Sequence, residues 1–460
     1  MNRTATTKQL VGLLCSVAAL VAAFFAGDNA LLKSVLILVS GVVLWIGEVL
    51  PMGITGAAIC FFLMLTNAVP SFAEAFLGFS NATTWFILAI SVLNVIVANS
   101  QFGPMIYEFM IKRAGVDPKR LVLAFMVSGM VISSILNDVA SVILMLSLLM
   151  PLIRTLRLKK GSNLAKDLVI GITAACNFGG FATPVSHTLN IIAMGMLEAQ
   201  TGSGVNYAEW MLMGVPLSVA MTFIAWLSLV KVFPPEPINE KAVRDYMSQR
   251  GSVVLGAYDK KVIALVVLFP ILCFLGSWIP VLSITNVALI YMVVLFLPGV
   301  SLLSWEDFRK NNTLDAFLML GGILSVTEAI KRNGGDTLIV DLLNQSGLLN
   351  LHPLLLFLVM GVAIYLVLSF CPSAPAVLSI VLPTILVYSS TVGLNGLVPT
   401  FILATIGAGS FLLPLTPTAI LTYQKGYYSF ADFAKVGWLL SVVLIVGVVF
   451  WSYSVGSVLF

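Results

Sequence analysis

Two adjacent polar side chains in an apolar stretch are the residues best suited to bind an ion. Asn137 and Asp138 interrupt the segment SSILNDVASVILM, residues 133–145. An aspartate at the centre of a membrane helix costs about 2.5–3.5 kcal/mol on insertion scales, so acids at that depth are functional by default. With its amide neighbour the carboxylate can ligate a cation, or it can take up a proton when buried. An alternative, structural role for Asp138 as the N-cap of the next helix stays open.

A second polar group lies in NFGGFATPVSHTLN, residues 177–190, where His187 stands between two short apolar segments. A protonated imidazole can pair with a carboxylate, whereas a neutral one donates a single hydrogen bond. Small hydroxyl side chains can orient carboxylate oxygens, although they also bond back to helix carbonyls. The hydroxyl residues of the polar segments are Thr183, Ser186, Thr188, Ser373, Thr416 and Thr418.

The composition restricts the class of protein that carries these groups. The chain has 460 residues, of which 59% are hydrophobic and only 10% are charged, against about 25% charged residues in soluble domains. We therefore expect a polytopic membrane protein surrounded by lipid, with no nucleic-acid partner. No phosphate-binding GxxxxGK[ST] loop is present, which argues against an ATP-driven pump. The five cysteines and two histidines show no metal or disulfide spacing, and we expect no enzymatic activity.

Apolar runs of about 17–25 residues predict membrane spans. A 15-residue helical arm covers only about 22 Å, which is less than the roughly 30 Å hydrocarbon core of the bilayer. Two such arms joined at a polar tip therefore predict a re-entrant hairpin, whose tip must be buried in protein or face water. Predicted spans are 9–26, 31–50, 53–69, 83–100, 209–233, 260–279, 283–299, 313–330 and 431–456. Predicted hairpins join 121–136 to 139–153 and 353–370 to 376–391, and predicted broken helices join 168–182 to 188–198 and 396–413 to 418–424.

Three basic clusters indicate the orientation in the membrane. Lys and Arg concentrate at 112–120, 154–166 and 231–261. These three clusters lie on the same side of the membrane only if residues 121–153 form a hairpin. Positive loops are cytoplasmic, so we expect a multi-pass protein of the bacterial inner membrane with a cytoplasmic N-terminus. Residues 234–259 then form a cytoplasmic linker. The basic side chains that end the span 313–330, among them Lys331, are expected to extend to the membrane surface.

An internal repeat links the two halves of the chain. FILAISVLNVIVANSQFG, residues 86–103, aligns with FLMLGGILSVTEAIKRNG, residues 317–334, and the prolines Pro151 and Pro383 follow the two hairpin tips at nearly the same offset. We expect an all-α fold of about 11 transmembrane helices with two re-entrant hairpins in an inverted repeat. Broken segments at matching positions of inverted repeats mark the substrate site of secondary transporters.

Four motifs spread over the chain resemble the divalent anion/sodium symporter (DASS) family, the carriers of di- and tricarboxylates and sulfate. They are WIGEVLPMGIT (45–55), AEAFLGFSNATTWFILA (73–89), NFGGFATPVSHTLN (177–190) and LPLTP with KGYYSFADFAKVG (425–437). The resemblance implies a homodimer that works by an elevator motion of a transport domain against a scaffold. The implied domains are 1–120 (scaffold, first repeat), 121–233 (transport, first repeat), 234–259 (linker), 260–350 (scaffold, second repeat) and 351–460 (transport, second repeat).

The hairpin tips depart from the Ser-Asn-Thr that the family carries there. The first tip reads Leu136-Asn137-Asp138 and the second Ser373-Ala374-Pro375. By the resemblance, the expected substrate contacts are Asn137, Asp138, Ser186, His187, Thr188, Ser373, Ala374, Thr416 and Pro417. The expected ion-coupling residues are Asn137, Asp138, Thr183, Asn190, Ser373 and Thr418, with sodium as a candidate at Asn137, Asp138 and Ser186.

Together these features favour a secondary active transporter of small divalent organic anions, a C4-dicarboxylate or a related acid. Helix N-termini can bind a dianion without buried Arg or Lys. Coupling is by cation symport or anion exchange, and sodium ions are the only candidate cofactor. An inorganic-anion or arsenite carrier and a cation/proton antiporter of the same superfamily remain alternatives. Antiporters usually show a pair of acids deep in the membrane, whereas Asp138 stands alone in the sequence.

Overall fold

The computed structural model describes residues 6–202, 204–238, 252–311, 314–370 and 373–459, and these form helices and loops without a β-strand. In the first half of the chain the helices are α1 (Thr7–Phe24), α2 (Ala30–Ile46), α3 (Met52–Leu65), α4 (Phe72–Ala75), α5 (Ala82–Ala98), α6 (Phe102–Ala114), α7 (Pro118–Ser133), α8 (Asp138–Thr155), α9 (Asn163–Gly179), α10 (Thr188–Thr201) and α11 (Tyr207–Val232).

The second half repeats this order of helices. It contains α12 (Ala257–Leu275), α13 (Ile284–Val294), α14 (Trp305–Asn311), α15 (Leu314–Arg332), α16 (Gly335–Ser346), α17 (Pro353–Phe370), α18 (Ala374–Thr391), α19 (Leu397–Ala408), α20 (Pro417–Tyr423) and α21 (Phe430–Leu459). The series α15 to α21 matches α5 to α11 one by one. The predicted repeat is therefore visible in the helix order, while its inversion in the membrane stays a prediction.

Local signals explain where the first hairpin begins and turns. The Asp117 side chain accepts hydrogen bonds from the first N–H groups of α7, and Pro118 occupies the first helical position, where no N–H is needed. The chain reverses between α7 and α8 at the predicted tip. Pro151 and Pro383 lie inside α8 and α18, so both second arms carry the expected proline. Part of the second tip, residues 371–372, lies outside the described residues.

Two helices were not expected from the sequence. Residues 83–100 were predicted as one span followed by a basic loop, but α5 ends at Ala98 and α6 continues after a bend of 56°. At the matching place in the second half, α16 follows α15. Both are short and carry charged residues, so an apolar-run criterion does not detect them. The span predicted at 283–299 is also shorter in the structure, because α13 ends at Val294.

The apolar helices make this a multi-pass integral membrane protein. Among the described residues, α1, α8, α11, α18 and α21 are each long and apolar enough to cross a bilayer, and α5 with α6 qualifies as one bent pair. Shorter apolar helices are α2, α3, α13, α17 and α19. Helices α9 and α19 are almost completely buried, whereas α1 is largely exposed. The broken segments that follow α9 and α19 therefore start from the centre of the molecule.

Candidate functional site

A cavity of about 300 Å³ lies where six helices begin. Its lining includes a residue from the first turn of each of these helices: Met52 of α3, Asp138 of α8, Thr188 of α10, Asp315 of α15, Ala374 of α18 and Pro417 of α20. The first N–H groups of a helix have no partner within it, and its dipole is positive at that end. Six such ends can bind negative charge, although the last turns of α17 and α19, which are negative, also line the cavity through Leu368, Gly407 and Ala408.

An Asp–His pair joins two of these helix ends. The Nε2 atom of His187 lies 3.3 Å from Oδ2 of Asp138, and the two residues are only 9% and 8% exposed. Nδ1 of His187 accepts the N–H of Leu189 at 3.1 Å, so that nitrogen carries no proton. Nε2 is the ring nitrogen that faces the carboxylate. The hairpin tip and the broken helix α10 are thus connected through a buried contact between Asp138 and His187.

The residue that caps α8 is Asn137. Its side-chain oxygen accepts the N–H of Ala140 at 3.0 Å, whereas Asp138 is the first residue of the helix. The alternative in which Asp138 is the N-cap is therefore wrong by one position. A carboxylate in the first helical turn still interacts favourably with the dipole. Because Asn137 provides the cap, the Asp138 carboxylate is free to face the cavity and His187.

Three predicted polar residues build the break between α9 and α10. The Ser186 hydroxyl donates to the carbonyls of Gly180 and Thr183 at 2.8 and 2.7 Å, and the Asn190 amide donates to the same carbonyls at 2.8 and 3.1 Å. The Thr183 hydroxyl donates to the carbonyl of Ser134 at the end of the hairpin's first arm. All three lie outside the cavity lining. Their expected contacts with substrate or ion stay predictions, and the hydrogens they could donate are already used.

The second broken helix is tied to the first through Asn177. The Thr418 hydroxyl of α20 donates to its side-chain oxygen on α9 at 3.0 Å. Thr416 caps α20 by accepting the N–H of Ala419, and the Thr416 and Thr418 hydroxyls are 3.3 Å apart. Thr416, Pro417 and Thr418 all line the cavity. The cross-link between α9 and α20 therefore fixes the position of one predicted wall of the site.

Two other helix ends, those of α18 and α3, lack a side-chain cap. At the start of α18, Ser373 is buried, and its hydroxyl makes no hydrogen bond with the part of the chain that the structure describes. Ala374 and Pro375 beside it line the cavity, although Ser373 does not. α3 begins after Pro51, also without a side-chain cap. These two ends therefore retain more of their positive character than the capped ends of α8, α10 and α20.

The charged residues of the cavity include one that the sequence analysis missed. Asp315, the second residue of α15, lines the wall together with Met52 and Met319. Asp138 is therefore not the single acid that the sequence suggested, although Asp315 is exposed and Asp138 is buried. None of the described lining residues is Lys or Arg. The signal in the sequence is the position of Asp315 at the start of the predicted span 313–330.

The cavity can hold a small organic acid. Its volume is at the lower end of the range for small-molecule sites, its helix ends can accept carboxylates, and its two acids can balance a bound cation. In the described part of the chain, no group of three His, Cys, Asp or Glu side chains is placed to hold a metal ion. The arrangement is that of a binding site.

Comparison with known proteins agrees with this chemistry. Residues 7–460 match the family model described as the sodium:sulfate symporter transmembrane region. The chain is 24% identical to a sodium-dependent dicarboxylate transporter of Staphylococcus saprophyticus, over 98% of this chain and 92% of that protein. It is 23% identical to an L-tartrate/succinate antiporter of Shigella boydii, over 82% of this chain and 79% of that one.

A solved structure has the same fold. The YdaH transporter of Alcanivorax borkumensis superposes with a TM-score of 0.56 over 81% of this chain and 84% of that one. The two sequences are 15% identical, so the likeness concerns the fold alone.

Proposed function

Because the chain belongs to the sodium:sulfate symporter family, we propose that it is a secondary active transporter of small divalent organic anions such as C4-dicarboxylates. The observation that carries the proposal is the convergence of six helix starts on one cavity of about 300 Å³ that has no described Lys or Arg in its lining. Such a site binds carboxylates through N–H groups and hydroxyls. It has no need of a buried cationic side chain, which would bind an anion too tightly for easy release.

One carboxylate of the substrate lies at the uncapped start of α18, near Ser373 and Ala374. The hydroxyls of Thr188 and Thr416 also line the cavity and donate to the remaining oxygens, whereas the Thr418 hydroxyl already donates to Asn177. His187 contributes by holding the Asp138 carboxylate in place. The pair thus sets the shape and charge of its part of the cavity wall.

Coupling is to a cation or to a counter-anion. The names of the relatives include both a sodium-dependent transporter and an antiporter. Sodium is the proposed co-transported cation, and the carboxylate of Asp138 supplies negative charge for it. The sodium ligands proposed from the sequence are Asn137, Asp138 and Ser186, of which the first two line the cavity. A cation/proton antiporter is not favoured, since both named relatives are described by organic anions.

The transport step is proposed to be an elevator motion within a homodimer in the bacterial inner membrane. Contacts at the C-terminal end of α10 cross the proposed boundary between the transport domain and the scaffold. Lys331 of α15 donates to the carbonyls of Ala199 and Gln200 at 3.1 and 2.9 Å, and the Gln200 amide donates to Asp336 of α16 at 2.8 Å. If α10 moves with its substrate, these contacts must break in each cycle.

Uptake of labelled succinate into proteoliposomes tests the function. The assay is run with a sodium gradient, with a proton gradient, and with internal unlabelled dicarboxylate. We expect accumulation in at least one condition, and the condition identifies the coupling. No accumulation in any of the three would refute transport of dicarboxylates.

The Asp138→Asn variant tests the site within the same assay. We expect the apparent affinity for succinate, or its dependence on the coupling ion, to change about tenfold or more, because the variant removes the charge of a buried pair. Asp341→Asn is the matched control, since Asp341 lies on α16 outside the cavity lining. Equal behaviour of the two variants would remove Asp138 from the proposed mechanism.

A further inference from the structure

The charge of the cavity does not suit a plain dianion. Asp138 and Asp315 both line it, and the described lining offers no Lys or Arg to offset them. The ring of His187 lies against Asp138 through Nε2 and accepts the N–H of Leu189 at Nδ1, so neither ring nitrogen is available to Asp315. A dicarboxylate that enters this space alone brings two negative charges towards two carboxylates. The site is therefore completed by a positive charge that the protein does not provide.

Asp315 is the acid that is free to receive this charge. Asp138 is already paired with His187, whereas Asp315 makes no ion pair within the described part of the chain. Its Oδ1 lies 2.8 Å from the position that a Cβ would have at Gly53 of α3. Because residue 53 is a glycine, the carboxylate fits against the α3 terminus beside the cavity.

The surroundings of Asp315 favour an ammonium group over a free metal ion. The other lining residues of this wall are Met52, Ala316 and Met319, whose side chains offer no oxygen. Hard metal cations are held by several oxygen ligands. An ammonium tethered to the substrate needs only hydrogen-bond acceptors, and a carboxylate is the strongest of these.

We propose that the preferred substrate is an amino-substituted dicarboxylic acid, whose ammonium group binds Asp315 while its carboxylates face the start of α18 and the hydroxyls of Thr188 and Thr416. Asp315 is then the residue that sets specificity between amino-substituted and plain dicarboxylates. This inference rests on the proposed transport of organic anions and names a narrower substrate class for the same cavity.

Binding measured calorimetrically on the purified full-length protein tests the proposal. L-aspartate and succinate are compared at pH 7, with and without sodium, for the wild type, Asp315→Asn and the control Asp341→Asn. We expect the wild type and the control to bind aspartate about tenfold or more tightly than succinate. We expect Asp315→Asn to lose that preference while it still binds succinate, which also shows that the variant is folded.

Three results would overturn the proposal. If the wild type prefers succinate and Asp315→Asn leaves that preference unchanged, Asp315 only packs against α3 and does not bind substrate. Loss of sodium dependence in Asp315→Asn, at a constant ratio of the two affinities, would make a free cation its ligand. Binding of neither acid by the wild type would refute the proposed function itself, an outcome distinct from the first two.

Discussion

A close approach of α3 and α15 at two glycines makes Gly56→Ala an informative substitution. A Cβ atom on Gly56 would lie 2.7 Å from Cα of Met319 and closer still to the carbonyl oxygen of Leu318. A Cβ on Gly322 of α15 would lie 2.5 Å from Cα of Gly56. Small residues that let backbones approach are typical of interfaces between membrane helices.

The expected cost follows from this geometry. Ordinary contact begins near 3.4 Å, so the helices would have to separate by about 1 Å, which removes much of the dispersion energy between them. Overpacking typically costs about 1–3 kcal/mol, and the upper end applies because backbone atoms cannot rotate away. Alanine recovers up to about 1 kcal/mol through its higher helix propensity. The net loss in free energy of unfolding is about 2 kcal/mol.

Gly447→Ala is the matched control. Gly447 lies inside α21, and a Cβ there would meet nothing within 4 Å. It should be neutral or stabilise by up to about 1 kcal/mol. Denaturant unfolding of both variants in the same detergent measures the difference, which we expect to be about 3 kcal/mol. A Gly56→Ala protein as stable as Gly447→Ala would show that the α3–α15 contact tolerates a methyl group and that this reasoning is wrong.

Two further substitutions test contacts outside the cavity. Partial burial raises the pKa of Glu236, but hydrogen bonds from the N–H groups of Leu164 and Asn163 more than offset it and leave the pKa below its usual value. Glu236 therefore stabilises the folded protein fully above the pKa of the unfolded state, and this stabilisation is lost as pH falls through the pKa of the folded state. Glu236→Gln should remove that loss of stability at low pH, and unfolding curves at several pH values measure it. An unchanged pH profile of the free energy of unfolding would show that the hydrogen bonds from Asn163 and Leu164 do not stabilise the protein in this way. Lys331→Met should lower the free energy of unfolding by about 1.5–3 kcal/mol, because it removes charge-assisted hydrogen bonds to the end of α10. Arg332→Met, which breaks only a pair with a neighbour on the same helix, should cost about 0.5 kcal/mol or less, and equal costs would show that the Lys331 contacts are weak.

The first hairpin could be predicted because its signals are local. The apolar runs 121–136 and 139–153 are short, and a polar pair separates them. The N-cap of α8 depends on a hydrogen bond between residues three apart. Even so, the alternative in which Asp138 is the cap was wrong by one residue, because both side chains are good caps and only the backbone geometry distinguishes them.

Side chains whose partners are distant in the chain could not be assigned in the same way. Lys331 was expected at the membrane surface, and it binds the end of α10. Ser186 was expected to face substrate, and its hydroxyl closes the loop between α9 and α10. In both cases the sequence predicted the segment that carries the residue but not the partner of its side chain. The partner was decided by how the helices pack.

The sequence by itself determined that this protein is a multi-pass membrane protein with an internal repeat, a hairpin at Asn137–Asp138 and broken helices at matching places. Those features follow from apolar length, proline and polar interruptions, which act within a few residues. Only the tertiary structure decided that His187 binds Asp138 and that Asp315 joins the same cavity. The reason is that the chemistry of the cavity depends on which helix starts converge, and that is determined by packing between segments far apart in the chain.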